Sequence, residues 1–493
     1  MAFGKKPSQS EIDGVQYRRV PTWCIALAEM QAGAAMAFYS LVGLMSYVAN
    51  EGYGIALAVA GVILTGTRWF DGIIDPFLAI WIDKLNTRFG KLRILMLLGL
   101  TIRSIAVLLL FVWFSGKTQS IALFIILYMV NIVGNSIYDI AGNMLPAVMT
   151  NDPRQRPTVQ VWATIYNYAF PMVLSMLSVM VILPMFGNQY TKEMLSLTCV
   201  IYVIVAWVMT LIACIGLTPV DKPENFMGIS AGEEDNVTLK DMAKFLTDNR
   251  PFQLYVTAAV ADKLASQVNS QAIVSTMLFG ILIGNIQFGT MLSMLSMLPS
   301  IGFAILGARY CGKHGSKESI VTWTRVCLVI GIINIVFCSL IDMHSISTNI
   351  GLTACFFLLL LAMNASKMCV TTSNGSMRAD IVDYELDRSG KYMPGIVTAT
   401  YNFIDQLISS LGATIATVAV GFVGYVNTVP QPTDPATPGI KAMALALYFG
   451  MPIVGWICTL IAMRFYKLSK AELVQVQKRI AEKKEQILAA QAK

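Results

Sequence analysis

Asp71 and Asp75 stand four residues apart in Arg68-Trp-Phe-Asp71-Gly-Ile-Ile-Asp75-Pro, within an otherwise apolar run. On a helix that spacing sends both carboxylates from one face. Two carboxylates held so close repel unless a proton or a cation sits between them, so the pair predicts a cation-binding site. A hard ion such as Na⁺ takes several oxygens, whereas a proton needs one carboxyl with a raised pKa. Arg68, three residues before Asp71, offers the plainer alternative of a salt bridge that locks two helices.

A second polar stripe runs from Asn131 to Asn143. Asn135 and Asp139 share a face, with Ser136 one residue round from Asn135. A carboxylate can accept two hydrogen bonds from vicinal hydroxyls, so this stripe suits a sugar or polyol. Interhelical hydrogen bonding would use the same residue types. A third polar face, Asn402 with Asp405 or Gln406, lies in the penultimate apolar run. Asp262 and Lys263 are adjacent, about 100° apart on a helix, and so do not simply cancel. Glu29 and Gln31 line the first run and Lys367 the tenth, while Arg103 reads as a structural partner for a neighbouring acid. Trp162, Tyr166 and Tyr168 suit either stacking on a sugar or helix packing.

These residues need elements that hold charge in an apolar medium. The chain has 493 residues, of which 56% are hydrophobic and 13% charged, against about a quarter charged in soluble proteins. Apolar runs of roughly 20 residues recur along its length, each able to cross a bilayer core. They fall near 22–49, 54–82, 93–115, 119–149, 158–185 and 193–217, then 252–281, 286–308, 320–341, 346–376, 394–426 and 440–466. The expected fold is therefore all-α, with about twelve transmembrane helices in two six-helix bundles. The expected parts are an N-terminal tail (1–21), a first bundle (22–217), a connector (218–250), a second bundle (251–467) and a C-terminal helix (468–493), capped by Ser469 and Glu472.

The net charge of +7 sits in alternate loops. One set holds Lys84, Arg88, Lys91 and Arg93; Arg154 and Arg156; Lys222, Lys240, Lys244 and Arg250; Arg309, Lys313 and Lys317; Arg378, Arg388 and Lys391. The other set is nearly bare. This positive-inside pattern predicts a multi-pass protein of a bacterial-type inner membrane, with both termini cytoplasmic and no nucleic-acid partner. The second loops of the two halves, Asp83–Lys91 and Arg309–Lys317, are both short, basic and glycine-bearing. They echo one another as parallel repeats would and are candidates for charge pairing and gating, with Arg68, Asp83, Arg88 and Lys91 in the first half. The nine cysteines show no metal or redox spacing. No nucleophile–base set, metal motif or phosphate loop appears, and the two histidines, His314 and His344, lie in loops. No cofactor and no enzyme activity are expected, so energy must come from an ion gradient. A membrane-embedded transferase or hydrolase would need a catalytic loop, and a sensor a larger soluble domain.

Three blocks carry a resemblance. Arg68 to Pro76 with Asp83 and Arg88-Phe-Gly-Lys91 is one. Asp139-Ile-Ala-Gly with Thr150-Asn-Asp-Pro-Arg-Gln-Arg156 is the second. Ala379-Asp-Ile-Val-Asp-Tyr384 and Gly390-Lys391 with Gly395-Ile396 complete them. In this order they resemble the glycoside–pentoside–hexuronide:cation symporters, the melibiose-permease and glucuronide-carrier group of the major facilitator superfamily. The resemblance implies symport of a sugar, glycoside or hexuronide with H⁺ or Na⁺. It implies a cation site at Asp71, Asp75 and Ser136, and sugar contact at Asp139. Candidate solute contacts are Asp139, Asn135, Asn143, Glu29, Asn402, Asp405, Gln406 and Lys263. The sequence departs from the group at Ile74, in place of an asparagine oxygen, which favours H⁺. It departs also near Thr164 in place of an arginine, at Gln406 in place of a lysine, and at Asn143 in place of a stacking tryptophan. An organic anion (a hexuronide, a sulfonated sugar or a lysolipid), held by Lys263 or Lys367, is the alternative solute. Membrane lipids are the remaining expected partners.

Overall fold

A computed structural model describes residues 8–12, 15–83, 90–150, 156–222, 245–389, 394–476, 478 and 479. The described chain forms two compact units, Met1–Glu234 with Gly424–Gln431, and Asp235–Val423 with Pro432–Lys493.

In hydrocarbon every backbone N–H and C=O must be satisfied within the protein, so the apolar runs become helices. In the first unit, α1 (Thr22–Ala28) and α2 (Met30–Gly43), continued to Gly52, make one span. It is followed by α3 (Leu57–Asp83), α4 (Lys91–Leu108), α5 (Ile121–Met149), α6 (Arg156–Met176) and α7 (Lys192–Leu217). The second unit holds α8 (Arg250–Asn269), α9 (Ile286–His314), α10 (Ser316–Leu340) and α11 (Ile350–Ser389). It ends with α12 (Pro394–Ser409), α13 (Leu411–Gly421), α14 (Pro438–Leu445) and α15 (Met451–Phe465). Among the described residues nine helices are long and apolar enough to cross a membrane, or ten if the bent pair Ala272–Leu282 and Ile286–Ser296 is one span; α3 and α8 carry more charge and polarity than these. The helical stretch Ala272–Leu282, which follows α8, meets α9 at 119° across a break of three residues. A two-stranded antiparallel hairpin, β1 (Ser8–Ile12) and β2 (Val15–Arg19), is an addition to the helical fold.

The polarity is that of a lipid-facing bundle. On α7, Ile204, Val208, Leu211 and Ile215 are exposed, a stripe at i, i+4, i+7 and i+11 that in water would be a large apolar patch. Glu29, Arg103, Ser136 and Thr210 are buried instead. Helix α4 packs along α5, and the crossing depends on two glycines. A Cβ on Gly99 would lie 2.8 Å from the Gly134 carbonyl oxygen, and one on Gly134 would lie 2.7 Å from Arg103 Cγ. Small residues let the two backbones touch, and this draws Arg103 against the polar face of α5.

Two expected loops are helical instead. The tenth span continues to Ser389, beyond the expected end at 376, and the eighth continues to His314. Residues 377–388 continue the helix although three of them are aspartates, and an Arg388–Glu385 pair at 3.0 Å, three residues apart, staples its last turn. Arg309, Lys313 and Arg388 therefore sit near helix ends, whereas Arg378 lies further back along α11.

The repeat echo has a backbone counterpart. Gly90 precedes α4 with φ 95°, ψ 151°, and Gly315 precedes α10 with φ 100°, ψ 159°. Positive φ is where glycine costs least, so both halves start the same span with the same device. At the first, Asp221 from the segment after α7 caps α4. Its carboxylate accepts from the backbone N–H groups of Lys91, Leu92 and Arg93 at 2.9, 3.2 and 3.0 Å, and from Arg93 Nε at 3.1 Å. A buried carboxylate at a helix N-terminus satisfies donors that the helix itself leaves open. Asp221→Ala is expected to destabilise the protein by about 3 kcal/mol, read as a lower thermal unfolding midpoint in detergent.

Candidate functional site

The helix crossing just described fixes the geometry in the first unit. Helix α3 brings Asp71 to α5, where Ser136 Oγ donates to Asp71 Oδ1 at 2.6 Å. The residue before Ser136, Asn135, donates from Nδ2 to Oδ2 of Asp139, one turn along α5, at 2.8 Å. Arg103 of α4 lies in electrostatic reach of Asp139 first and Asp71 second. It is 2% exposed, its guanidinium sits 4.2 Å over the Phe38 ring, and its Nε has no hydrogen-bond partner among the described residues. Both acids thus lie in the field of one buried cation, itself partly held by a ring face. Arg68 reaches the Tyr128 hydroxyl.

Glu29 is buried between α1 and α2 and hydrogen-bonds Gln31, whose carbonyl accepts from Tyr138 on α5 at 3.2 Å. Glu29 therefore adjoins the α5 stripe from behind. Trp162 and Tyr166 have ring centroids 6.0 Å apart, and Tyr166 and Phe170 5.7 Å, an aromatic ladder at i, i+4, i+8 on α6. Asn143 is exposed. The side chains of Asp75 and Asp83, and Arg88 altogether, lie outside the described residues. Lys91 opens α4, with its backbone N–H on Asp221.

The second unit carries its own charges. Asp262 of α8 faces Lys367 and Lys263. Asp405 of α12 faces Lys263 and Arg378, and its Oδ1 has no hydrogen-bond partner among the described residues. Arg378 lies 4.0 Å over the Tyr401 ring and donates from Nε to the Tyr255 hydroxyl at 3.3 Å. Gln406 is half-buried; Asn402 and Lys263 are exposed.

The family described as MFS/sugar transport protein matches residues 23–470. The chain belongs to that family. The putative glycoside/cation symporter YagG of Escherichia coli (strain K12) is 21% identical over 444 residues, covering 89% of this chain and 90% of that protein. Among solved structures, the nucleoside transporter NupG superposes with a TM-score of 0.57 at 14% identity, over 90% of this chain and 99% of that one. A bacterial homologue of the human lysosomal transporter Spinster, captured inward-facing and unoccupied, gives 0.57 at 13%, over 93% and 97%. These likenesses carry the fold, that of the major facilitator superfamily. The family is one of membrane transporters, not an enzyme class.

Within this family member, sequence reasoning overlooked Asp221, which was grouped with the charged connector. Its signal was present: an acid four residues past the end of a span, with a glycine-led helix start at Lys91 awaiting a cap. Arg103 was read only as a structural partner, and its place between two site acids depends on Gly99 and Gly134, which no local pattern connects.

Proposed function

We propose that the protein is a proton-coupled symporter of a sugar or glycoside that works by alternating access. The observation that supports this most is the Ser136–Asp71 hydrogen bond next to the Asn135–Asp139 pair. It sets a carboxyl able to take up a proton directly beside a carboxylate able to accept sugar hydroxyls. In this reading Asp71 and Asp75 share the coupling proton. Protonation removes their repulsion, relieves the demand on Arg103, and leaves Asp139 free to receive the solute. Ile74 adds no oxygen beside Asp71, and Arg103 opposes a second fixed cation. Both features favour H⁺ over Na⁺. The basic ends of the spans face the cytoplasm of a bacterial-type inner membrane, with both termini inside.

The other reading is an organic anion as solute. In its favour the second unit sets Lys263, Lys367 and Arg378 against Asp262 and Asp405, a surplus of one positive charge (3 − 2).

The test is solute-induced alkalinisation, with Na⁺ uptake in parallel, in membrane vesicles of both orientations, over a panel of glycosides, pentosides and hexuronides. A proton signal that one of these triggers, and that Asp75→Asn abolishes without loss of inserted protein, is the expected result. An Na⁺ signal in its place overturns the proton. Normal accumulation by the mutant overturns the aspartate pair, and a response to anionic solutes alone overturns the sugar.

A further inference from the structure

A cavity of about 440 Å³ opens at the basic end of the second unit, far along the helices from the acids just described. Three cations line it, Arg250 at the start of α8, Arg464 at the end of α15 and Lys467 just beyond, against one acid, Glu472. All three cations are exposed, and none makes an ion pair among the described residues. Its remaining wall is apolar or aromatic, with Phe465 and Tyr384 foremost.

Phe465 also ends a stripe. Val454, Ile457, Ile461 and Phe465 are all exposed on α15, at i, i+3, i+7 and i+11, with Phe465 at 56%. In a membrane-spanning helix such a stripe faces acyl chains. The cavity therefore sits where this apolar stripe gives way to a collar of unpaired cations. Helix α8 begins at Arg250, and its N-terminal partial charge adds to the positive field.

We infer that this cavity binds the headgroup of an anionic phospholipid of the phosphatidylglycerol class. The phosphate lies between Arg250, Arg464 and Lys467, and an acyl chain runs along the α15 stripe past Phe465. A glycerol headgroup brings no charge of its own, whereas the ammonium of a choline headgroup would enter a pocket already positive by two (3 − 1). Basic pockets beside membrane helices recognise acidic lipids in this way. The inference does not depend on the coupling ion or the solute.

The experiment is titration of the full-length protein in detergent with short-chain phosphatidylglycerol, read by native mass spectrometry and thermal unfolding. Phosphatidylcholine and inorganic phosphate are the comparison probes. The wild type is expected to retain phosphatidylglycerol over phosphatidylcholine. Arg464→Gln with Lys467→Gln is expected to weaken phosphatidylglycerol about twenty-five-fold, at roughly fivefold per cation, and Arg464→Lys with Lys467→Arg to preserve it. Phe465→Ser keeps every charge and is expected to weaken the lipid but not to change the response to phosphate, which holds even if the double variant fails to fold. Equal binding of the two lipids overturns the proposal. So does undiminished phosphatidylglycerol binding by both the double variant and Phe465→Ser, or stabilisation by phosphate alone equal to that by the lipid.

Discussion

Asp71→Asn is expected to leave solute binding intact while abolishing its dependence on the coupling cation. The amide keeps an acceptor for the Ser136 hydroxyl at the 2.6 Å contact, so the α3–α5 junction holds. It removes the negative charge, and with it the repulsion that proton uptake relieves. A typical coupling of about 1–3 kcal/mol corresponds to solute affinity that changes roughly 5–150-fold with the cation; in the variant that ratio should fall to about one. Calorimetric titration of solute across pH, and across Na⁺ at fixed pH, measures it. The variant is locked in the neutral form, so its affinity should resemble that of the wild type at low pH. Accumulation against a gradient should disappear while exchange of labelled for unlabelled solute persists. An unchanged cation dependence would remove Asp71 from the coupling site.

Arg103→Leu should be the most damaging single change to stability. The guanidinium is buried with Asp139 and Asp71 in its field and Phe38 beneath it. Removing one partner of a buried charge cluster costs about 3–5 kcal/mol, because the remaining charge is left uncompensated. Thermal unfolding in detergent reads this directly. Arg103→Leu combined with Asp139→Asn should recover much of the loss, since the acid left without a partner is then neutral. If the double variant is no more stable than Arg103→Leu alone, the cost lies in packing against Phe38 and Gly134 and not in charge.

The fold was legible because a bilayer leaves few choices. Runs of apolar residues had to be helices, and the alternation of basic loops separated one end of the spans from the other. Local composition was a poorer guide where helices leave the apolar run. The extension of α11 to Ser389 runs through charged residues that hydropathy counts as loop. In the site, Asp71, Ser136, Asn135 and Asp139 were each visible as polar residues in apolar surroundings, and the helical period paired Asn135 with Asp139. The Ser136–Asp71 contact bridges 65 residues of sequence, and here only the resemblance to a symporter group joined them. Arg103 and Asp221 lay beyond both signals. Each depends on a close backbone approach or a helix end supplied by a distant segment, and a pattern read along one element cannot see either.

The Asp221 cap has a consequence for how the chain is made. The three N–H groups that open α4 are satisfied by a residue that follows α7, 128 to 130 positions later. While the ribosome is still delivering the fourth, fifth and sixth spans, the start of the third has no such partner and must be hydrated at the membrane surface. The N-terminal half therefore cannot reach its final state when its last span is inserted, but only once the first residues of the connector have emerged. A chain cut after Leu217 would contain every helix of that half and still lack the contact that closes it.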